Sequence, residues 1–223
     1  MKRKLKMIIT LICLISLVFT STAFASISSD NSEITTLLQK TKDSSLTITE
    51  KYALFEKVEQ KNAEAVKWFE NLAINDSRKI KNALRDGIIV KNGEVVSIDF
   101  EDGSSIELSL ETFTIKSEYL GTITARATYT HRVLGIPVAY YYIYCKYGFN
   151  SMDGPSVILD KWDESAQLYS YDVIKGGVAT VQDNSNPVKV RGLAEIRQLN
   201  TTLANVRGVF SCYTNTDLNS CTW

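Results

Sequence analysis

The chain has 223 residues, 25 basic and 25 acidic side chains, one histidine and a hydrophobic share of 44%. A lone histidine excludes metal sites built on two, H-E-x-x-H among them, and no G-x-S-x-G elbow or phosphate-cradling glycine loop is present. No cofactor is expected.

Residues 1–25 read as a cleaved signal peptide of bacterial style. Lys2, Arg3, Lys4 and Lys6 form a basic start, Met7 to Phe19 an apolar core, and Ala23-Phe24-Ala25 the small-residue cleavage site. The apolar run of thirteen residues is shorter than the roughly 18 that a spanning helix needs. Removing this leader leaves a chain acidic by four charges, because all four of its charged residues are basic. An acidic remainder argues against nucleic acid as a partner. No second long apolar run follows, so no membrane anchor is expected in the mature chain, and the location is secreted or extracellular.

Residues 26–44 are polar, with a short helix expected in "SEITTLLQK". Thr47 and Glu50 have capping-box spacing and open the strong helical stretch. Phe55, Val58, Ala65, Val66, Phe69, Leu72 and Ala73 then recur at three- and four-residue spacing, so they share one face. A second helix is expected in "DSRKIKNALRDG", capped by Asp76 or Ser77 and stopped at Gly87. The two together predict a helical hairpin packed on a sheet.

Alternation takes over after Gly87. Asn92-Gly93 and Asp102-Gly103 are strong hairpin signals and predict a three-stranded meander. At the second, a three-residue loop with a glycine bulge is expected to pair Phe100 with Ile106, Ile98 with Leu108 and Val96 with Leu110. That keeps the apolar residues on one face. Asp99, Glu101, Glu107, Ser109 and Glu111 then face solvent as solubilising residues.

From Thr122 onward about seven strand candidates follow, with "GIP", "NSMDGP", "KGG" and "QDNSNP" as turns or loops between them. The fold class expected is α+β: an N-terminal helical hairpin, then a β-meander and an antiparallel β-sandwich. The expected division is a signal peptide at 1–25, a helical segment with its meander at 26–118, and a sandwich-like domain at 119–223.

Cys145, Cys212 and Cys221 remain after the leader, an odd number that predicts one disulfide and one free thiol. Cys212 and Cys221 are the favoured pair, facing each other across a terminal hairpin with Phe210 opposite Trp223. A Cys145–Cys212 bridge between sheets is the alternative. The order Cys145, Trp162, Cys212 is similar to the immunoglobulin Cys…Trp…Cys pattern. Phe210 stands where that pattern has tyrosine, however, and the helical front and Cys221 have no place in it.

Cys145 and His131 are the one nucleophile–base arrangement. A register with Ala127 opposite Cys145 and His131 opposite Tyr141 puts them about 13 Å apart along the strand, too far for a dyad. His131 is therefore expected to be structural or at the surface. Arg126, Arg132, Arg191, Arg197 and Arg207 are scattered over strands and predict no anion site. Asn200-Thr201-Thr202 matches a glycosylation acceptor.

"AYYYIYCKYGF", Ala139 to Phe149, splits by parity. Tyr141, Ile143, Cys145, Tyr147 and Phe149 form a core face. Tyr140, Tyr142, Tyr144 and Lys146 form the other, and they are the ligand-binding candidates if that face is open. The expected function is a secreted, non-enzymatic binding or interaction protein at the cell envelope, with a polysaccharide or a protein as ligand. The alternatives are a secreted toxin or antimicrobial factor or its protective partner, and a hydrolase using Asp153, Asp160, Asp163 or Glu164.

Overall fold

The structure, a computed structural model, describes residues 32–42, 44–115, 121–198 and 201–223. The expected signal peptide and Asn200 lie outside the described residues. The chain divides into two compact units between Trp68 and Phe69.

The first unit is helical. It holds α1 (residues 32–42), α2 (Ile48–Glu59) and most of α3 (Ala63–Glu70). The Thr47 hydroxyl accepts from the Glu50 amide while the Glu50 carboxylate accepts from the Thr47 amide at 2.8 Å, which closes the expected capping box. Lys57 and Glu33 pair at 3.4 Å, and Lys40 pairs with Glu50. The long apolar face does not belong to one helix. Lys61 adopts φ 59°, and Asn62 restarts the chain by accepting from the amides of Glu64 and Ala65 at 3.1 and 3.2 Å. Phe55, Val58 and Ala65 are nonetheless buried, and so is Phe69, the first residue of the second unit, whose ring meets that of Tyr171 edge-on at 5.7 Å.

The second unit begins with a 3-10 turn (Ala73–Asn75) and α4 (Ser77–Ala83), whose cap is Asp76 accepting from the Arg78 amide at 2.9 Å. Gly87, at φ 68°, follows where the stop was expected. Ten strands make up the rest: β1 (Ile89–Lys91), β2 (Val95–Asp99), β3 (Ser104–Ile115), β4 (Gly121–Val133), β5 (Ile136–Phe149), β6 (Ser156–Gln167), β7 (Tyr171–Gln182), β8 (Val188–Gln198), β9 (Thr201–Cys212) and β10 (Ser220–Thr222). They form two five-stranded antiparallel sheets. Sheet I runs β1-β10-β9-β8-β7 and sheet II runs β2-β3-β4-β5-β6. The chain is thus mixed α+β with a two-sheet β region.

Several expected pairings change. Asn92-Gly93 does turn, with Gly93 at φ 79° and the Glu94 amide on the Lys91 carbonyl at 3.0 Å. The strands it joins lie in different sheets, however, so it is a crossover and not a hairpin. The Asn92 amide binds the Asn219 carbonyl and the Gly93 amide binds the Leu110 carbonyl, which draws the two flanks apart. The meander therefore contributes β2 and β3 to sheet II and loses β1 to sheet I. Residue 119 falls between β3 and β4, which pair along their length within sheet II.

The Asp102-Gly103 loop is a three-residue turn with Gly103 at φ 80°. It closes at Phe100, whose amide binds the Ser104 carbonyl at 2.9 Å. Ile98 consequently faces Ile106 and Val96 faces Leu108, two residues tighter than expected. A two-residue slip preserves parity, so Ile106, Leu108 and Leu110 are still fully buried while Asp99, Glu101 and Glu111 are exposed.

β4 and β5 join through Leu134-Gly135, both at positive φ, as a two-residue hairpin turn needs. With one bulge beyond it, Cys145 faces Ala125, Ala127 faces Ile143, and His131 faces Ala139. The expected register was again two residues off. "KGG" does not separate two strands. Gly177, at φ 81°, marks a register shift inside the single strand β7.

The sheets meet at their inner faces. Tyr141, Ile143, Cys145 and Tyr147 are fully buried. A Cβ placed on Gly192 or on Gly208 would lie 2.5 Å from the Ile143 side chain, so only glycine permits β8 and β9 to approach β5 this closely. At one end, buried Asn219 ties the elements together. Its amide group donates to Thr112 Oγ1 at 3.2 Å and its Oδ1 accepts the Tyr213 amide at 2.6 Å. The Tyr147 hydroxyl donates to the Tyr213 carbonyl at 2.9 Å.

Candidate functional site

Parity places Tyr140, Tyr142, Tyr144 and Lys146 on the outer face of sheet II. All four are half-buried, and none is sequestered. Register then brings partners from both neighbouring strands. Tyr144 faces Arg126 on β4 and Trp162 on β6, Tyr142 faces Thr128 and Glu164, and Lys146 faces Thr124 and Asp160. Thr124, Thr128 and Thr130 are buried, so the large rings carry what the face presents to solvent.

The rings form a continuous ladder across two strands. Tyr140 stacks on Tyr142 at 5.8 Å with an 18° interplanar angle, and Tyr142 meets Tyr144 at 6.3 Å. Tyr144 lies on Trp162 at 4.7 Å and 5°. Glu164 clamps that last pair, accepting from the Tyr144 hydroxyl and from Trp162 Nε1, each at 3.2 Å. On the other side the Arg126 guanidinium lies 5.4 Å from the ring centres of both Phe113 and Tyr142 and donates to Glu111 at 2.7 Å. Burial, with the Tyr140 phenol beside it, holds the Tyr142 phenol above its ordinary pKa, so it stays a neutral hydrogen-bonding group at physiological pH. Rings stacked on one another expose edges and hydroxyls more than faces.

Trp162, Arg126 and Phe113 were not among the sequence candidates. Trp162 reaches the ladder through a register that includes a shift between Lys146 and Tyr147, and one strand's periodicity carries no information about that register.

The three cysteines lie together in the core, the Cys212 thiol within hydrogen-bonding reach of Cys145, and the other candidates are dispersed. Cys145, Cys212 and Cys221 are free and fully buried thiols. Cys221 faces Phe210 and Cys212 faces Val188, so the favoured pair sits on a diagonal. Diagonal neighbours are about 7–8 Å apart, beyond the usual reach of a disulfide. Burial raises the pKa of both Cys212 and Cys221. His131 is fully buried, with Nε2 3.0 Å from the Tyr129 hydroxyl, and burial lowers its pKa to about 3.

Asp160 faces outward with Lys146. Asp163 lies on the inner face, where its carboxylate accepts from the Tyr141 hydroxyl at 3.3 Å and the Gly177 amide at 3.1 Å. Arg132 pairs with Glu107 and Arg197 with Glu195. Among the described residues there is no cluster of three or more metal-ligating side chains, and no helix is long and apolar enough to cross a membrane. No protein-family model, curated protein or solved structure matches this chain.

Proposed function

We propose that this is an exported, non-enzymatic binding protein that engages a cell-envelope polymer or an envelope protein through the outer face of sheet II. The observation that carries this reading is the half-open ladder of Tyr140, Tyr142, Tyr144 and Trp162 with Arg126 laid across it. Tyrosine, tryptophan and arginine are the residues that dominate binding hot spots, because each joins a large apolar body to a polar tip. Here they are held rigid by one another, so little side-chain entropy remains to be lost on binding. The two sheets are read as the layers of one β-sandwich, which makes this face an outer surface. Asp163 lies on the inner face of β6, and Asp160 and Glu164, which share its outer face, stand four residues or about 13 Å apart along the strand; this favours binding over carboxylate-dependent hydrolysis, which needs two carboxyl groups at one bond.

The test is co-sedimentation of residues 26–223 with insoluble envelope material, comparing the native chain with a Tyr142→Ala/Trp162→Ala variant shown to be folded by its near-ultraviolet dichroism. Retention of the native chain and at least tenfold weaker retention of the variant are expected. Equal retention of both removes the ladder from the account.

A further inference from the structure

Three thiols stand together between the two sheets. Cys145 lies on β5 of sheet II, Cys212 ends β9 and Cys221 lies on β10, both in sheet I, and none of the three has any exposed surface. The side chains that flank Cys145 on the inner face of β5 fix what it faces. Ile143 fills the space over Gly208, where a Cβ would lie 2.5 Å from its Cδ1. Tyr147 reaches the residue that follows β9, its hydroxyl donating to the Tyr213 carbonyl at 2.9 Å. Cys145 stands between these two, so it lies over the stretch of β9 from Gly208 to Tyr213. Phe210 and Cys212 are the buried residues within that stretch. The Cys212 thiol is accordingly within hydrogen-bonding reach of Cys145.

Cys221 is placed differently. It faces Phe210 across the β9–β10 pairing, so only the diagonal leads to Cys212. That diagonal exceeds the usual reach of a disulfide.

We infer that Cys145 and Cys212 are a disulfide site that staples sheet II to sheet I, and that Cys221 remains a buried thiol. The structure holds the reduced form, with all three thiols free. The oxidant is an external disulfide of the glutathione type. One protein thiol loses its proton and attacks it, giving a mixed disulfide and releasing one small thiol. The other loses its proton and attacks the protein sulfur of that mixed disulfide, releasing the second. One protein disulfide replaces two protein thiols, and the oxidant takes up the two electrons and two protons. Burial keeps these thiols from the reactive thiolate once the sheets have closed, so the exchange belongs to the folding chain. The bridge encloses β6, β7 and β8 in one loop, and a long closed loop removes much of the freedom of the unfolded chain.

The experiment is refolding of residues 26–223 from guanidinium in two buffers, one with mixed oxidised and reduced glutathione and one with a reducing phosphine. Thiols are then alkylated in guanidinium and the peptides mapped by mass spectrometry without reduction. The phosphine sample should give three alkylated cysteines. The glutathione sample should give one, Cys221, together with a linked pair of Cys145 and Cys212 peptides. Its urea midpoint should lie higher by about 1 M or more. A Cys221→Ser chain should form the same linked pair, whereas Cys145→Ser and Cys212→Ser chains should gain no urea resistance from glutathione. The mapping of the native chain stands even where a variant fails to fold. Three free thiols after refolding in glutathione, a main product linking Cys221 to either partner, or a linked chain no more resistant to urea than the reduced one overturns the proposal. Glutathione is supplied directly, so none of these outcomes depends on export or on the tyrosine ladder.

Discussion

Tyr144 lies flat against Trp162, ring centroids 4.7 Å apart and planes within 5° of parallel, and Glu164 hydrogen-bonds both. The pair spans β5 and β6, so it cross-links the outer strand of sheet II as well as ending the ladder. A double-mutant cycle on Tyr144→Leu and Trp162→Leu should give a coupling of about 1 kcal/mol in unfolding free energy, the usual worth of an aromatic pair beyond its buried area. Strict additivity of the two substitutions would mean that the rings share space without supporting each other.

Gly208, like Gly192, lets its strand come close to Ile143 of the facing sheet. A Cβ at residue 208 would meet Ile143 Cδ1 at 2.5 Å. Gly208→Ala should destabilise by about 1–3 kcal/mol, as overpacking does. Ile143→Val removes that Cδ1, so in the Gly208→Ala background it should cost much less than it does alone. Chemical denaturation of the four proteins reads this directly. If the valine costs the same in both backgrounds, the contact is not the limiting one.

His131 should make stability fall in acid. It is buried and neutral in the folded protein, with its pKa lowered to about 3, while an unfolded histidine titrates near 6.5. Between those values the unfolded chain binds the extra proton, so stability rises with pH across this window and is fully present above about 6.5. Carboxylates contribute their own acid dependence, so the measured quantity is the difference between the native chain and His131→Phe. That difference should shift against the native chain by about 1.4 kcal/mol per pH unit as pH falls from about 6 to 4. A difference constant over that range contradicts the buried neutral state.

Cys145, Cys212 and Cys221 are fully buried, and burial pushes the thiols of Cys212 and Cys221 away from the reactive thiolate. None of the three should react with an aromatic disulfide reagent in the native protein, and all three should react after unfolding in guanidinium. Rapid reaction of any one in native buffer would show that its part of the inter-sheet core opens readily.

Parity was the most legible property of the sequence. The alternation in "AYYYIYCKYGF" separated the buried Tyr141, Ile143, Cys145 and Tyr147 from the half-open Tyr140, Tyr142 and Tyr144. Local signals also carried through: the Thr47–Glu50 capping box, Asp76 as a cap, and the glycine at residue 103 of a three-residue turn. Register did not carry through, because it depends on turn length and bulges. Ile98 against Ile106 and Cys145 against Ala125 both differ by two residues from expectation. Asn92-Gly93 shows a harder limit. Its turn forms, but whether the flanking strands pair is decided by Asn219 and Leu110 far along the chain. The aromatic site needed register too, which is why Trp162 and Arg126 were not foreseen beside the tyrosines.

The central claim is that the ladder is both open and used. Tyrosine nitration mapped by mass spectrometry, on residues 26–223 free and bound to insoluble envelope material, tests both halves together. In the free protein Tyr140, Tyr142 and Tyr144 should be modified, while Tyr129 and Tyr141, which have no exposed surface, should stay unmodified. Binding should protect the first three by at least severalfold. Resistance of all three in the free protein, or equal modification with and without bound material, would contradict the account.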